Sequence, residues 1–270
     1  MTMASGGAAV TETIVAESWT QLQELLFAGS WNAELKRFRA RGAYRGSGRA
    51  GAGLHHSLSR IGGEFTQRER HIIRNFRKYA HRSFIGDESI WNWLALAQHH
   101  GLPTRLLDWT YSPLIALHFV TDDLQLYQYD GEVWTVSFNE TNRKLPAQLR
   151  RVLEEEGSDV FTGAMLSTVA ESLESFDRLS EESFVIFLEP PSVHDRIVNQ
   201  AALFSIMSNP RLVLHDWLAQ QPDAARRIVI PAQLKWEIRD KLDQVNITER
   251  VLFPGLDGLG RWLKRYYTER

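Results

Sequence analysis

The stretch that most narrows the fold is residues 98–120, QHHGLPTRLLDWTYSPLIALHFV. Gly101 is the residue type that ends helices in a left-handed conformation, and Pro103 cannot continue one. The apolar centre of TRLLDW then suits a strand buried on at least one face. Ser112 and Pro113 supply an N-cap and a first-turn proline, so a new helix starts there. Its body, LIALHFV, is apolar nearly all round, and a helix of that kind belongs in a core. Helix, turn, buried strand and buried helix follow in immediate succession.

The flanking sequence adds mixed elements. SWTQLQELLFAG opens on a capping serine and closes on glycine, as a short helix does. GAYRGSGRAGAG has too many glycines for a helix, so a short strand is expected at 42–46, running into a loop. Over 66–79, Ile72, Ile73, Phe76 and Tyr79 share one helical face, with Arg68, Arg70, Arg74 and Lys78 around the rest. A helix beginning at Asp87 uses Ile90, Trp93, Leu94 and Ala97 as its inner stripe and ends at Gly101. EVWTVSF, SFVIFLE, ALFSI and RRIVIP are Val-, Ile- and Phe-rich strands. Helices are expected near 144–156, 165–177, 211–219, 231–243 and 255–267. In the last of these regions Leu252, Phe253, Leu256, Leu259, Trp262 and Leu263 read as an inward stripe, with Asp257 a first-turn acid. Strands that do not alternate regularly with helices favour an α+β fold, with mixed or antiparallel sheets and packed helices. No repeat or low-complexity linker divides the chain. The expectation is a flexible tail at 1–16 and one domain over 17–270.

Composition bounds the function. A chain of 270 residues, 43% hydrophobic and with nine tryptophans, can bury a full core. The net charge of −2 gives no global attraction to nucleic acid. The charge is uneven, however: residues 31–110 carry fourteen Lys or Arg against six Asp or Glu, and 121–195 carry five against sixteen. The basic half is the better host for an anionic ligand. Cysteine is absent, which excludes disulfides, thiolate metal sites and cysteine nucleophiles. The first sixteen residues lack the basic start and apolar stretch of a signal peptide, and no apolar run approaches the roughly 20 residues that span a bilayer. A cytoplasmic protein without membrane contact is expected.

Capping and burial explain Gly101, Pro103, Leu106, Leu107 and Pro113, but leave Gln98, His99, His100, Arg105, Asp108, Trp109 and Thr110 over. Arg105 with Asp108 reads as an ion pair. The others cluster where a strand hands over to a helix, whose free N–H groups suit phosphate or ribose oxygens, so a cleft is expected there. Neighbouring helical positions point about 100° apart, and no HxxxH or HxH spacing occurs, so no metal site is expected from His99 and His100. No GxSxG turn supports a Ser-His-Asp site, and GSGRAGAG lacks the lysine and following helix of a phosphate loop.

Tyr44-Arg45-Gly46, QHHGLPTRLLDWTYSPLIALHFV, RIVNQAALFSI and LFPGLDGLGRWLK together resemble the FRG-domain family over about residues 18–267. A weaker resemblance is to ADP-ribosyltransferases, in which an aromatic-Arg-Gly strand holds NAD and a Ser-Thr-Ser strand runs into an SPxxALxFA helix. The second element departs from that pattern: Asp108, Trp109 and Thr110 stand in for the three hydroxyl residues, and Gln200 stands near where a catalytic glutamate would fall. The resemblance implies an ADP-ribosyltransferase-like core and an NAD-consuming enzyme that cleaves the nicotinamide–ribose bond. Its acceptor would be nucleic acid or protein, as for a toxin-like effector of bacterial defence held by an inhibitor protein. It implies Arg45, Asp108 and Gln200 as catalytic residues, with Glu189 a further candidate carboxylate. Tyr44, Arg45, Gly46, His100, Trp109 and Thr110 would bind NAD, with Trp109 or Tyr44 as the wall for nicotinamide. A non-catalytic module that grips nucleic acid through the basic helix, or a regulatory protein, is the alternative.

Overall fold

The Val-, Ile- and Phe-rich segments meet in one sheet. The computed structural model describes residues 11–80, 88–192, 194–221 and 223–269. Its strands are β1 (Glu12–Val15), β2 (Trp31–Asn32), β3 (Arg37–Phe38), β4 (Gly42–Ser47), β5 (Leu107–Thr110), β6 (Gly131–Ser137), β7 (Val185–Leu188), β8 (Ala202–Met207) and β9 (Ala225–Ile230). Seven of them form a sheet in the order β1-β9-β6-β4-β5-β8-β7, and β2 with β3 makes a separate small ladder. The β1–β9 pair is parallel and the other ladders are antiparallel, so the sheet is mixed. The fold is α+β, as the irregular order of strands and helices implied.

One boundary differs. Glu12–Val15, assigned to a tail from the sequence, pair with Arg226–Val229 as an edge strand. The segment is only four residues long, and its partner strand lies far along the chain. Residues 1–10 of that expected tail lie outside the described residues.

The helices are α1 (Trp19–Phe27), α2 (Phe65–Ala80), α3 (Ile90–His99), α4 (Pro113–Val120), α5 (Phe138–Asn142), α6 (Ala147–Glu156), α7 (Gly163–Ser167), α8 (Leu173–Asp177), α9 (Asp195–Asn199), α10 (Leu214–Leu218), α11 (Lys235–Gln244), α12 (Glu249–Leu252) and α13 (Leu256–Tyr266). The local signals hold where they were strongest. Ser18 and Ser112 accept from the backbone N–H groups of Gln21 and Ile115, and Gly101 closes α3 at φ 78°. The helix expected over 165–177 is two short ones, α7 and α8. The start expected at Asp87 lies outside the described residues, and Ser89 caps α3. Among the described residues, no helix is long and apolar enough to cross a membrane.

Strand alternation sorts the core into layers. Ala43, Leu107, Trp109, Trp134 and Leu203 point to one face of the sheet, where Phe138 of α5 and Trp217 of α10 cover them. The other face is covered by two helical groups. Leu22 of α1, Ala116 of α4 and Ile238 of α11 pack over Tyr44, Val133 and Ile228. Trp91 and Leu94 of α3, with Leu149 of α6 and Phe176 of α8, pack over Ile186, Phe204 and Ile206. The two groups flank β5.

Charged residues reinforce both groups from inside. Arg105 is buried and donates from Nε to Glu69 Oε2 at 2.8 Å and from Nη1 to Asp177 at 2.6 Å, tying α2 and α8 to the approach to β5. The Arg105–Asp108 pair expected from the sequence is therefore not formed; sequence proximity lost to two carboxylates brought in by packing. Around α11, Arg239 donates to His118 Nδ1 at 2.9 Å, and Arg265 reaches Asp243 at 2.8 Å and also Glu249. This corrects the reading of the last helix. Arg265, not a leucine stripe, is the buried side chain of α13, whereas Leu256 is 83% exposed and Leu259 and Leu263 meet solvent. Leu252 is buried, on α12.

Candidate functional site

The two helical groups part over β5 and leave a cleft of about 460 Å³, within the range of roughly 300–1,000 Å³ usual for ligand pockets. Alternation along β5 decides which of its residues face it. Leu107 and Trp109 belong to the covered face, so Asp108 and Thr110 take the opposite one. Trp109 borders the cleft, but its indole donates to the Ser205 hydroxyl at 2.8 Å and packs edge-on against Phe187. These contacts hold the indole against the core, and the residue still lines the cleft.

β4 supplies the guanidinium. It pairs with β6 along its whole length but with β5 only through Tyr44 and Thr110, so the two strands separate beyond that point. Arg45 reaches into the gap, and its Nη1 donates to the Asp108 carbonyl oxygen at 2.6 Å. Burial lowers its pKa and the charge of Asp108 opposes that, although a guanidinium stays protonated. Gly46 has a steric reason: a Cβ there would stand 1.9 Å from the Ala116 carbonyl oxygen, so the glycine lets α4 lie against β4. Tyr44 is buried and donates its hydroxyl to the Leu26 carbonyl at 3.1 Å. It lines the cleft as a fixed part of the wall.

Hydrogen bonds aim the acid. The Thr104 hydroxyl donates to Gln98 Oε1 at 2.6 Å, which orients the amide so that Gln98 Nε2 donates to Asp108 Oδ2 at 2.9 Å. The Thr110 hydroxyl donates to the Gln200 carbonyl at 2.7 Å and accepts from the Ser112 N–H, so its first duty is to join β5 to α4 and to the end of α9. Gln200 lines the cleft, with its Nε2 donating to the Leu252 carbonyl at 2.9 Å.

Thus Tyr44, Arg45, Gly46, Asp108, Trp109, Thr110 and Gln200 all border one cavity, although three separate regions of the sequence supply them. His100 does not. It is exposed and sits with His99 and His194, its ring centroid 5.1 Å from that of His99. Glu189 lies apart from the cleft as well, accepting from the Tyr111 hydroxyl at 2.6 Å. Among the lining groups that escaped the sequence reading are Arg196 on α9, Phe119 in the last turn of α4 and Asp122 just beyond it. Arg196 and Asp108 interact electrostatically, so the cleft holds two guanidiniums near one carboxylate. Crowding by protein and by Asp123 holds the Asp122 carboxyl up at about 6. Arg196 lies inside RIVNQAALFSI, so its segment was visible even though its role was not.

The histidines stand as a group of their own beside the cleft. Adjacent helical positions argued against a shared ligand, yet His99 ends α3, His100 is its C-cap, and His194 arrives from the start of α9 to complete a group of three. Burial, with the positive charges of Arg196 and the neighbouring histidines, lowers the His99 pKa to about 4.

With the cleft assembled around Arg45 and Asp108, the chain can be compared with known proteins. Residues 40–128 match the family model of the FRG domain. The match takes in Arg45, Gln98, Asp108 and Thr110, together with α4, whose close approach requires Gly46. Arg196 and Gln200 lie beyond it, so the matched segment supplies most of the cleft lining and the later chain adds the rest. No curated protein and no solved structure matches the chain.

Proposed function

We propose that the cleft binds NAD and that the protein is an ADP-ribosyltransferase-like enzyme. It cleaves the nicotinamide–ribose bond and passes ADP-ribose to an acceptor on nucleic acid or protein, as a toxin-like effector of bacterial defence. One observation carries this reading: Arg45 and Arg196 share a cavity with a carboxylate, Asp108, that a glutamine holds in place. Two guanidiniums suit a pyrophosphate, since each forms charge-assisted bonds worth about 1.5–3 kcal/mol. The carboxylate suits the positive charge that develops on the ribose as its bond to nicotinamide breaks.

In this scheme the pair of electrons of the C1′–N bond leaves with nicotinamide, and an acceptor nucleophile bonds to C1′. Asp108 stabilises the oxocarbenium-like ribose. Phe119, which lines the cavity, offers an aromatic surface for nicotinamide, and the carboxamide oxygen of Gln200 takes a ribose hydroxyl while its nitrogen stays on Leu252. Asp122, with its carboxyl near 6, suits removal of the acceptor's proton near neutral pH. The alternative of a non-catalytic nucleic-acid grip through α2 draws less support. Arg70 and Arg77 lie 3.5 and 3.8 Å from Glu174 and Glu88, so part of the basic face is already paired.

The test is incubation of the full chain with NAD and mass analysis of the nucleotide products. Nicotinamide release that falls by at least about 10-fold in Arg45→Ala is expected from the loss of one charge-assisted contact. Release that persists undiminished in that variant excludes this cleft as the site.

A further inference from the structure

A second constellation lies just outside the cleft. His99 is the last residue of α3, His100 is its C-cap at φ −90° and ψ 13°, and His194 is the residue before α9. The rings of His99 and His194 are parallel with centroids 4.8 Å apart, and His100 stands nearly perpendicular to both, at 5.1 and 5.8 Å. One nitrogen from each ring falls within 4.8 Å of the others. His194 stands at a helix-capping position, yet its side chain makes no capping hydrogen bond, so local structure does not account for the ring.

We propose that His99, His100 and His194 form a binding site for one late first-row divalent cation, of which Zn²⁺ is the representative. Three imidazoles and no carboxylate or thiolate make a borderline donor set, suited to Zn²⁺, Cu²⁺, Ni²⁺ or Co²⁺ and poorly suited to Mg²⁺ or Ca²⁺. Zn–N bonds of about 2.0–2.1 Å need the nitrogens closer together than they stand here. His100 and His194 are exposed, so rotation of their rings about the side-chain torsions closes the gap without moving the core. His99, half-buried at the helix end, is the fixed ligand. The neighbouring charges partly cancel, because Arg196 disfavours a cation and Asp108 favours one, and both act on His99. Three protein ligands leave a coordination position for water or for a ligand atom.

The placement gives the site a consequence. Gln98 and Gly101, on either side of the histidine pair, line the cleft, and so does Arg196, two residues past His194. A metal held by these rings would tie the end of α3 to the start of α9, two walls of the same cavity. The inference does not depend on what the cleft binds.

The experiment uses the full chain without a polyhistidine tag, stripped with a chelator. It is titrated with Co²⁺, read by visible d–d absorption, and with Zn²⁺, read by calorimetry. One equivalent is expected, with affinity at least about 10-fold weaker in His99→Ala and in His194→Ala, since even residues that only support a ligand cost that much. His71→Ala, an exposed histidine on α2, should leave the affinity unchanged. If His99→Ala fails to fold, His194→Ala decides, because that ring is exposed. No binding by the wild-type chain, or equal affinity in wild type and His194→Ala, would overturn the proposal.

Discussion

His118 makes the acid stability of this protein predictable. The ring is fully buried on α4, and its Nδ1 faces the guanidinium of Arg239 at 2.9 Å. Arginine only donates, so Nδ1 must accept and the imidazole proton must sit on Nε2. A second proton would have to displace that hydrogen bond and place a buried charge beside another. Burial first, then Arg239, lower the pKa to about 3 from an ordinary 6.5. The unfolded chain therefore takes up a proton as pH falls through 6.5, and the folded chain does not until about 3. Between those values stability falls with pH. Integrated from pH 7 to pH 4, the loss from this one group is about 3 kcal/mol, an upper value because buried sites relax. The comparison is His118→Asn, whose carboxamide oxygen takes over the acceptor role without titrating. Urea unfolding followed by far-UV circular dichroism at pH 7, 5.5 and 4 should show the stability advantage of the wild type over the variant shrinking by about that amount. Other acid-sensitive groups are common to both proteins and cancel. Parallel decline of the two across the range would refute the reasoning.

Two further substitutions probe the frame of the cleft. Arg105→Met leaves Glu69, 3% exposed, as a buried carboxylate without its partner, and should cost about 3–5 kcal/mol in urea unfolding. Gly46→Ala puts a methyl group 1.9 Å from the Ala116 carbonyl oxygen, so α4 must move off β4; about 1–3 kcal/mol of stability should be lost, measured in the same way.

What the sequence made legible follows the range of the interaction. Ser18, Ser112 and Gly101 act within one helical turn, and their expected roles are those seen. The strand around Arg45 and the one around Asp108 were readable from composition and flanking turns. Which side chains face the cleft was not, because that depends on sheet register. Trp109 and Asp108 are neighbours in sequence and point to opposite faces, and only the pairing of β5 with β8 shows that the indole meets Ser205. The same limit hid Arg196, which α9 brings from far along the chain, and His194, without which the histidine pair is only a pair. The last helix misled for a related reason. Its leucines are spaced like a buried stripe, but Glu249 and Asp243 give Arg265 a buried partnership that turns the arginine inward instead.

The claim on which the functional reading stands is that Arg45 and Arg196 together clamp a pyrophosphate in the cleft over β5. Calorimetric titration of the full chain with ADP-ribose, which carries the pyrophosphate without the reactive bond, tests it most directly. Saturable binding that weakens by about 10- to 100-fold in Arg45→Ala and again in Arg196→Ala is the predicted result, the range set by one charge-assisted hydrogen bond each. Affinity that is the same in wild type and in both variants would contradict the account.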